Sequence, residues 1–160
     1  MADIIADGRT RAAWVTTIAN IAAPTVAELN AGILLQTTLT PAGLKGLQPE
    51  TAKIDASSLA SRITLQRNGR AGIDGSMLEF KKQDGTDTIY DTLLFGVTGY
   101  LVVRTSILQE TAWVAAQKVR VYPMECGEVV HVDIEENTLE RYQIPLTLTG
   151  QWNLRATVAA

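Results

Sequence analysis

The sequence predicts a mainly β protein, and three observations carry that reading. Apolar and polar residues alternate with a period of two at 62–66, 77–81 and 141–149, the spacing of strands with one buried face. Segments 98–107 and 118–134 are dense in β-branched and aromatic residues. The one long helical pattern falls between two groups of strands, so the order is not the βαβ alternation that gives a parallel sheet. With 160 residues, 46% of them hydrophobic, the chain is long enough to bury a core as one domain over 1–160.

The elements follow in order. Residues 1–13 hold Asp3, Asp7, Arg9 and Arg11 among few apolar residues and read as an N-terminal arm, without the basic and apolar regions of a signal peptide. Pro24 and Thr25 open a short helix at 25–31, where Thr25 and Glu28 have capping-box spacing and Gly32 is placed to close it in a left-handed cap. Residues 36–56, with Pro41, Gly43, Gly46 and Pro49, show no sustained period and read as a long loop or loose hairpin, of a length that tends to be functional or to order on a partner.

Ile63 and Leu65 then alternate with Arg62, Thr64 and Gln66, and Leu78 and Phe80 with Met77, Glu79 and Lys81, giving two half-buried strands joined by turn residues at 68–75. The main helix is expected at 86–95. Ile89 with Leu93 and Tyr90 with Leu94 are spaced i,i+4, Asp84 and Asp87 suit its N-terminal end, and Gly96 closes it. A strand at 98–107 follows, then two strands within 118–134 split near Cys126 and Gly127, and a turn at 135–138. In the strand at 141–150 Ile144, Leu146 and Leu148 alternate with polar residues, and Pro145, which cannot donate to a ladder, predicts an edge or a bulge. Residues 153–160 read as a small-residue C-terminal tail.

Composition narrows the function. Lys plus Arg total 14 against 17 Asp plus Glu, a net charge of −3, which opposes tight binding of nucleic acid. A single cysteine forms no internal disulfide. The apolar runs are only a few residues long, far short of the ~20 that span a bilayer, so a soluble chain without a membrane role is expected. Charged residues make up only 19% of so apolar a chain, which points to surface that becomes covered in an assembly.

The segment 124–131, MECGEVVH, gathers the only cysteine, Cys126, and the only histidine, His131, beside Glu125 and Glu128. A thiol enzyme needs Cys and His at hydrogen-bond distance, and zinc needs about four ligands. Five residues apart on extended chain, the two side chains point to opposite faces unless Gly127 bulges the strand. The plainer reading makes Cys126 a small core side chain and puts His131 on a wetter face. Asp84, Asp87 and Asp91 lack the ligand spacing of a calcium loop and read as helix caps, and Gly43 and Gly46 around Lys45 lack the GK[ST] of a phosphate loop. Arg9, Arg11, Trp14, Arg67 and Arg70 are too few for a single-strand binder, and Tyr90, Tyr100, Tyr122 and Tyr142 read as packing residues. The sequence thus offers no catalytic, cofactor-binding or metal-ligating residue, and the chain reads as a non-enzyme.

Specific strings then carry a resemblance. APTVAELNAG at 23–32, TGYLVVR at 98–104, KVRVYPMECGE at 118–128, RYQIPLTLTG at 141–150 and NLRATVAA at 153–160 together resemble the major tail (tail tube) proteins of long, non-contractile-tailed bacteriophages, over nearly the full length. The stretch 36–56 departs from that pattern. The resemblance implies a β-sandwich or small barrel with one flanking helix, closed into hexameric rings that stack into a tube. It also implies the tape-measure protein, a tail terminator and distal tip proteins as partners, and a place in the virion after synthesis in the bacterial cytoplasm. It makes 36–56 an inter-ring loop.

The function expected on this basis is a passive conduit for double-stranded DNA, which transits without specific binding. Its bore is expected to be polar and negative, with Thr64, Gln66, Gln143, Thr147 and Thr149 as candidate bore-facing positions and Arg62 and Arg67 opposing the trend. The alternatives are the inner tube of a contractile injection machine, which uses the same ring fold, and a small β-barrel holding an apolar ligand.

Overall fold

A computed structural model describes all 160 residues. In chain order the elements are β1 (Arg11–Val15), α1 (Val26–Asn30), β2 (Ile33–Leu34), β3 (Leu39–Lys45), β4 (Glu50–Asp55), β5 (Gln66–Gly72), β6 (Met77–Lys81), α2 (Thr88–Thr92), β7 (Thr98–Arg104), β8 (Lys118–Cys126), β9 (Val130–His131), β10 (Arg141–Leu148) and β11 (Asn153–Thr157). Nine strands form one sheet in the order β2-β1-β7-β8-β10-β6-β3, with β11 added on β8 and β9 on β10, and β4 and β5 form a separate pair. All strand pairings within these sheets are antiparallel. The fold is mainly β, and the large sheet curls into half a barrel.

Alternation along each strand divides the residues between two faces. On one face Trp14, Leu101, Tyr122, Met124, Ile144 and Phe80 belong to a cluster of fifteen buried residues running across the sheet. The other face is itself divided. Over β1, β7 and β8 it is apolar, with Ala13, Val15, Val102 and Val121 packed with Leu29 of α1 and Trp113. Over β6 and β10 it is polar, since Glu79 lies directly across from Gln143.

The helices show where local signals suffice. At α1 the Thr25 hydroxyl accepts from the Glu28 amide at 3.2 Å, and the Glu28 carboxylate accepts from the Thr25 amide at 2.8 Å, the reciprocal box that the spacing predicts. Gly32 does not provide the left-handed cap, because Ala31 closes the helix in the right-handed region at φ −74°. Gly32 is needed for space instead: a Cβ there would lie 2.7 Å from the Trp14 carbonyl oxygen and 2.8 Å from Val15 Cγ2. At α2 the Asp87 carboxylate caps the helix by accepting from the Tyr90 amide at 3.1 Å. This helix spans only Thr88–Thr92 rather than 86–95. Buried Leu93 leaves the helical region, and the Gly96 amide donates to the Cys126 carbonyl at 2.9 Å, tying the segment to β8.

Between α1 and α2 the structure corrects the sequence reading most. Residues 36–56 are not one loop, since they contain β3 and β4, and these two strands pair with different partners. The register of β3 on β6 shifts between Leu39 and Leu44, so its inward residues do not recur with a period of two. The predicted strand at 62–66 lies mostly outside β5, which instead runs through the predicted turn at 68–75 as far as Gly72. Ile63 and Leu65 are exposed, because the β4–β5 pair packs on no second layer of this chain.

Three smaller corrections concern the ends and Pro145. The N-terminal arm is 1–10 rather than 1–13, since β1 starts at Arg11 and Ala12 and Ala13 are fully buried. The C-terminal segment is no tail: β11 pairs with β8, Ala156 and Val158 are buried, and the Ala159 carbonyl accepts from the Val26 amide at 3.1 Å. Pro145 is at neither an outer edge nor a bulge. It sits where β10 exchanges β9 for β8 as its neighbour, with its carbonyl accepting from the Gly127 amide at 2.8 Å. A strand residue's amide and carbonyl point to the same side, so the missing N–H falls at the break between β8 and β9.

Candidate assembly surfaces

The segment holding Cys126 and His131 is resolved by the register of β10. Cys126 pairs across from Leu146 and His131 from Tyr142, four positions along β10 or about 13 Å. The break at 127–129 turns both toward the same face of β10, contrary to strict alternation, but leaves them far out of bonding reach. Cys126 is 2% exposed, and burial, with a smaller contribution from Glu125, pushes its thiol up to about 12. His131 is exposed, and its Nε2 lies 3.3 Å from the Tyr90 hydroxyl. No group of three or more His, Cys, Asp or Glu side chains converges anywhere as a metal site would require.

The remaining polar candidates are held in structural bonds. Lys45 bonds Glu79 at 3.0 Å, and Asp87, besides capping α2, accepts from the buried Tyr142 hydroxyl at 3.3 Å. Tyr142 stacks on Phe80 with ring centroids 5.5 Å apart and meets Tyr90 edge-on at 5.1 Å. Tyr122 is buried in the same cluster. Arg67 and Arg70 lie exposed on β5, in the separate two-stranded sheet, whereas Arg11 and Trp14 are on β1 of the nine-stranded sheet.

One feature had no signal in sequence. Arg11 and Arg104 lie directly opposite each other on β1 and β7, with guanidinium carbons 5.1 and 5.2 Å from the Trp113 ring centre. Arg104 is fully buried, and its guanidinium donates to the carbonyls of Ala112 and Leu108 and to the Gln117 side chain at 2.9–3.1 Å. An arginine separated in sequence from its aromatic partner gives no periodic pattern, so only pairing of β1 with β7 brings them together.

The exposed apolar residues lie mostly outside the nine-stranded sheet. Ile4 and Ile5 lie on the N-terminal arm, and Ile54, Leu59, Ile63 and Leu65 on the region of β4, β5 and their connection. Leu94 and Phe95 follow α2, and Ile134 and Leu139 lie between β9 and β10. A two-stranded pair alone is marginal in water, so a hairpin exposed on both faces calls for a covering surface.

A curled β subunit whose polar candidates are held in structural bonds, and whose exposed apolar residues lie mostly outside its main sheet, has the features of a structural protein of the assembling kind. More particularly, the chain belongs to the phage tail tube protein family, which matches residues 1–160. Among curated proteins none matches the chain. Among solved structures it is similar to a chain in the electron cryo-microscopy structure of the anti-feeding prophage baseplate, reconstructed with six-fold symmetry. The TM-score is 0.59 at 11% identity, covering 98% of each chain, a likeness of fold. Membership makes the protein a structural component of a virion tail tube.

Proposed function

We propose that this protein is the tube subunit of a long, non-contractile phage tail, closing as six copies into a ring whose stacking makes a passive conduit for double-stranded DNA. The family match over the entire chain carries the reading. The architecture supports it, because the half barrel ends at β2 on one side and β3 on the other, and edges left open in one subunit become interfaces when copies join. The inter-ring role expected of 36–56 passes to the β4–β5 arm at 50–72, with residues 1–10 as a second contact. A tape-measure protein inside, a terminator above and tip proteins below complete the assembly, which is built in the host cytoplasm.

The likeness to a chain of the anti-feeding prophage baseplate favours a second reading, the inner tube of a contractile machine. A ligand-binding barrel has no such support, since the fifteen-residue cluster fills one face of the sheet. Negative-stain imaging of the purified protein tests the tube reading: rings or tubes of uniform diameter with six-fold end views are expected, and a compact particle at every concentration would refute it. Intact virions separate the two tube readings, since a sheath around the tube selects the contractile one.

A further inference from the structure

Where β7 ends and β8 begins, the sheet opens into a groove of about 590 Å³, lined by Val103, Ile107, Ala116 and Leu154 and edged by Lys118 and Arg120. Leu154 is exposed, and no acidic residue lines the groove. Neither cation is in an ion pair, since the chain's pairs are Lys45–Glu79, Lys82–Asp87 and Arg141–Glu79. Lys118 Nζ donates to the Thr157 hydroxyl at 2.6 Å, and an ammonium has further protons to give. Arg120 Nη2 donates to the Thr105 hydroxyl at 3.3 Å, while its Nε and Nη1 are unbonded and open to solvent. An apolar lining with two unspent cations at its edge suits a carboxylate that stands beside a branched apolar side chain.

The groove is preformed. Its wall, residues 105–117, is held from beneath by buried Arg104, whose guanidinium donates to the carbonyls of Leu108 and Ala112 and to the Gln117 side chain. The Ala116 amide donates to the Val158 carbonyl and the Val158 amide to the Gln117 carbonyl, both at 2.9 Å, which fastens the wall to the C-terminal segment. A wall already fixed in place loses little entropy when a segment binds against it.

The N-terminal arm has the matching chemistry. Residues 3–7 read Asp-Ile-Ile-Ala-Asp, with Ile4 and Ile5 exposed. On an extended segment Asp3 and Ile5 lie on one face about 7 Å apart, as do Lys118 and Arg120 on β8. An Asp3 carboxylate set between the two cations therefore brings Ile5 onto the apolar lining. The subunit's own arm is turned elsewhere. Arg9 Nη1 donates to the Ser106 carbonyl at the groove's rim at 3.3 Å, but the Arg9 amide bonds back to the Ala6 carbonyl at 3.2 Å and Gly8 takes φ 68°. Ala6 and Asp7 thereby line a second cavity, beside Gln36, Thr40 and Lys81, and residues 1–5 line neither. Residues 1–5 make no hydrogen bond to the rest of the chain and are free to lie extended, whereas the other acidic and apolar stretch, 133–140, is a loop held at both ends by β9 and β10.

We propose that residues 3–5 of a second copy of this chain lie in this groove, with Asp3 between Lys118 and Arg120 and Ile5 against Val103 and Leu154. The proposal rests on the tube reading and names a contact within it. Asp3→Lys, Lys118→Glu and the two combined are compared by sedimentation and imaging at low and high salt. Each single reversal is expected to raise the subunit concentration needed for assembly about tenfold, and the combined protein to recover most of the loss. Thermal unfolding shows whether each subunit is folded. In a Cys126→Ser background, Ile5→Cys with Leu154→Cys is expected to give disulfide-linked ladders of copies in assembled tubes; this pair leaves both cations in place and carries the test where a reversal variant does not fold. Folded reversal variants that assemble like the wild type, a folded combined protein that does not recover, or tubes whose crosslinks stay within single chains or do not form would overturn the contact. Ladders from Ile134→Cys with Leu154→Cys in place of those from Ile5→Cys would give the groove to 133–140 and overturn it as well. A wild-type protein that never assembles would instead overturn the tube reading itself, and the contact with it.

Discussion

Gln143 donates to the Glu79 carboxylate at 2.6 Å from the residue directly across the β6–β10 ladder. Lys45 and Thr40 add bonds at 3.0 Å, so a carboxylate with a 7% exposed side chain remains charged. The Gln143 bond is the largest cause that holds Glu79 down at about 2 from its usual 4.5, against the opposing effect of burial. A group whose folded value is depressed stabilises the fold above its unfolded value and loses that contribution as pH falls from about 4.5 to about 2, in all about 3 kcal/mol. Urea unfolding of the subunit across this window is expected to show the loss. Glu79→Gln should be less stable at pH 7 by about 2–4 kcal/mol and less sensitive over the acid window, where Glu28, also held below the usual carboxylate range by backbone amides, still titrates. An unchanged pH profile in the variant would refute the assignment.

Cys126 should be unreactive in the folded subunit and reactive on unfolding, because its thiol is buried and pushed up to about 12. Thiol-reagent labelling with and without denaturant checks this. Cys126→Ser and His131→Ala should still assemble, at a cost of about 1 kcal/mol each in subunit stability.

The β4–β5 arm should be weakly protected from amide exchange in the free subunit and strongly protected in tubes. Its residues are exposed along nearly all of both strands, and in the proposed tube their ordering would cost entropy that slows premature polymerisation. Ile54→Asp with Ile63→Asp should leave subunit unfolding unchanged within about 0.5 kcal/mol yet block tube formation. Equal protection in both states would remove the arm from the interface.

Assembled tubes should show negligible affinity for double-stranded DNA even at low ionic strength, where attraction is least screened. The subunit carries a charge of −3, which the proposed rings would repeat, and retention on a polyanion requires Lys or Arg contacts that release counterions. Gln143 and Thr147 share the polar face of β10 with Glu79, whereas Thr64 and Gln66 lie exposed at the β4–β5 arm, as do Arg62 and Arg67. DNA retained at low salt and released at high salt would replace a passive conduit with a tube that grips its cargo.

The sequence by itself determined those elements whose cause is local. The capping box of Thr25 and Glu28, the Asp87 cap, the strand at 77–81 and the β-rich segments at 98–104 and 118–126 all follow from neighbouring residues or a simple period, and the structure holds them. Spacing put Cys126 and His131 on opposite faces, whereas the break at 127–129 turns both to one face of β10, about 13 Å apart, a geometry that the pairing register decides. Only tertiary structure decided the rest. The β3 bulge removes the period that would announce a strand, and the alternation at 62–66 has no second layer of this chain to bury it. Residues 153–157 became a strand because β8 offered them an edge, which no property of Ala156 or Val158 foretells. The Arg11–Arg104 pair exists because β1 lies against β7 across about ninety residues of chain, and long-range pairing leaves no trace in short-range pattern.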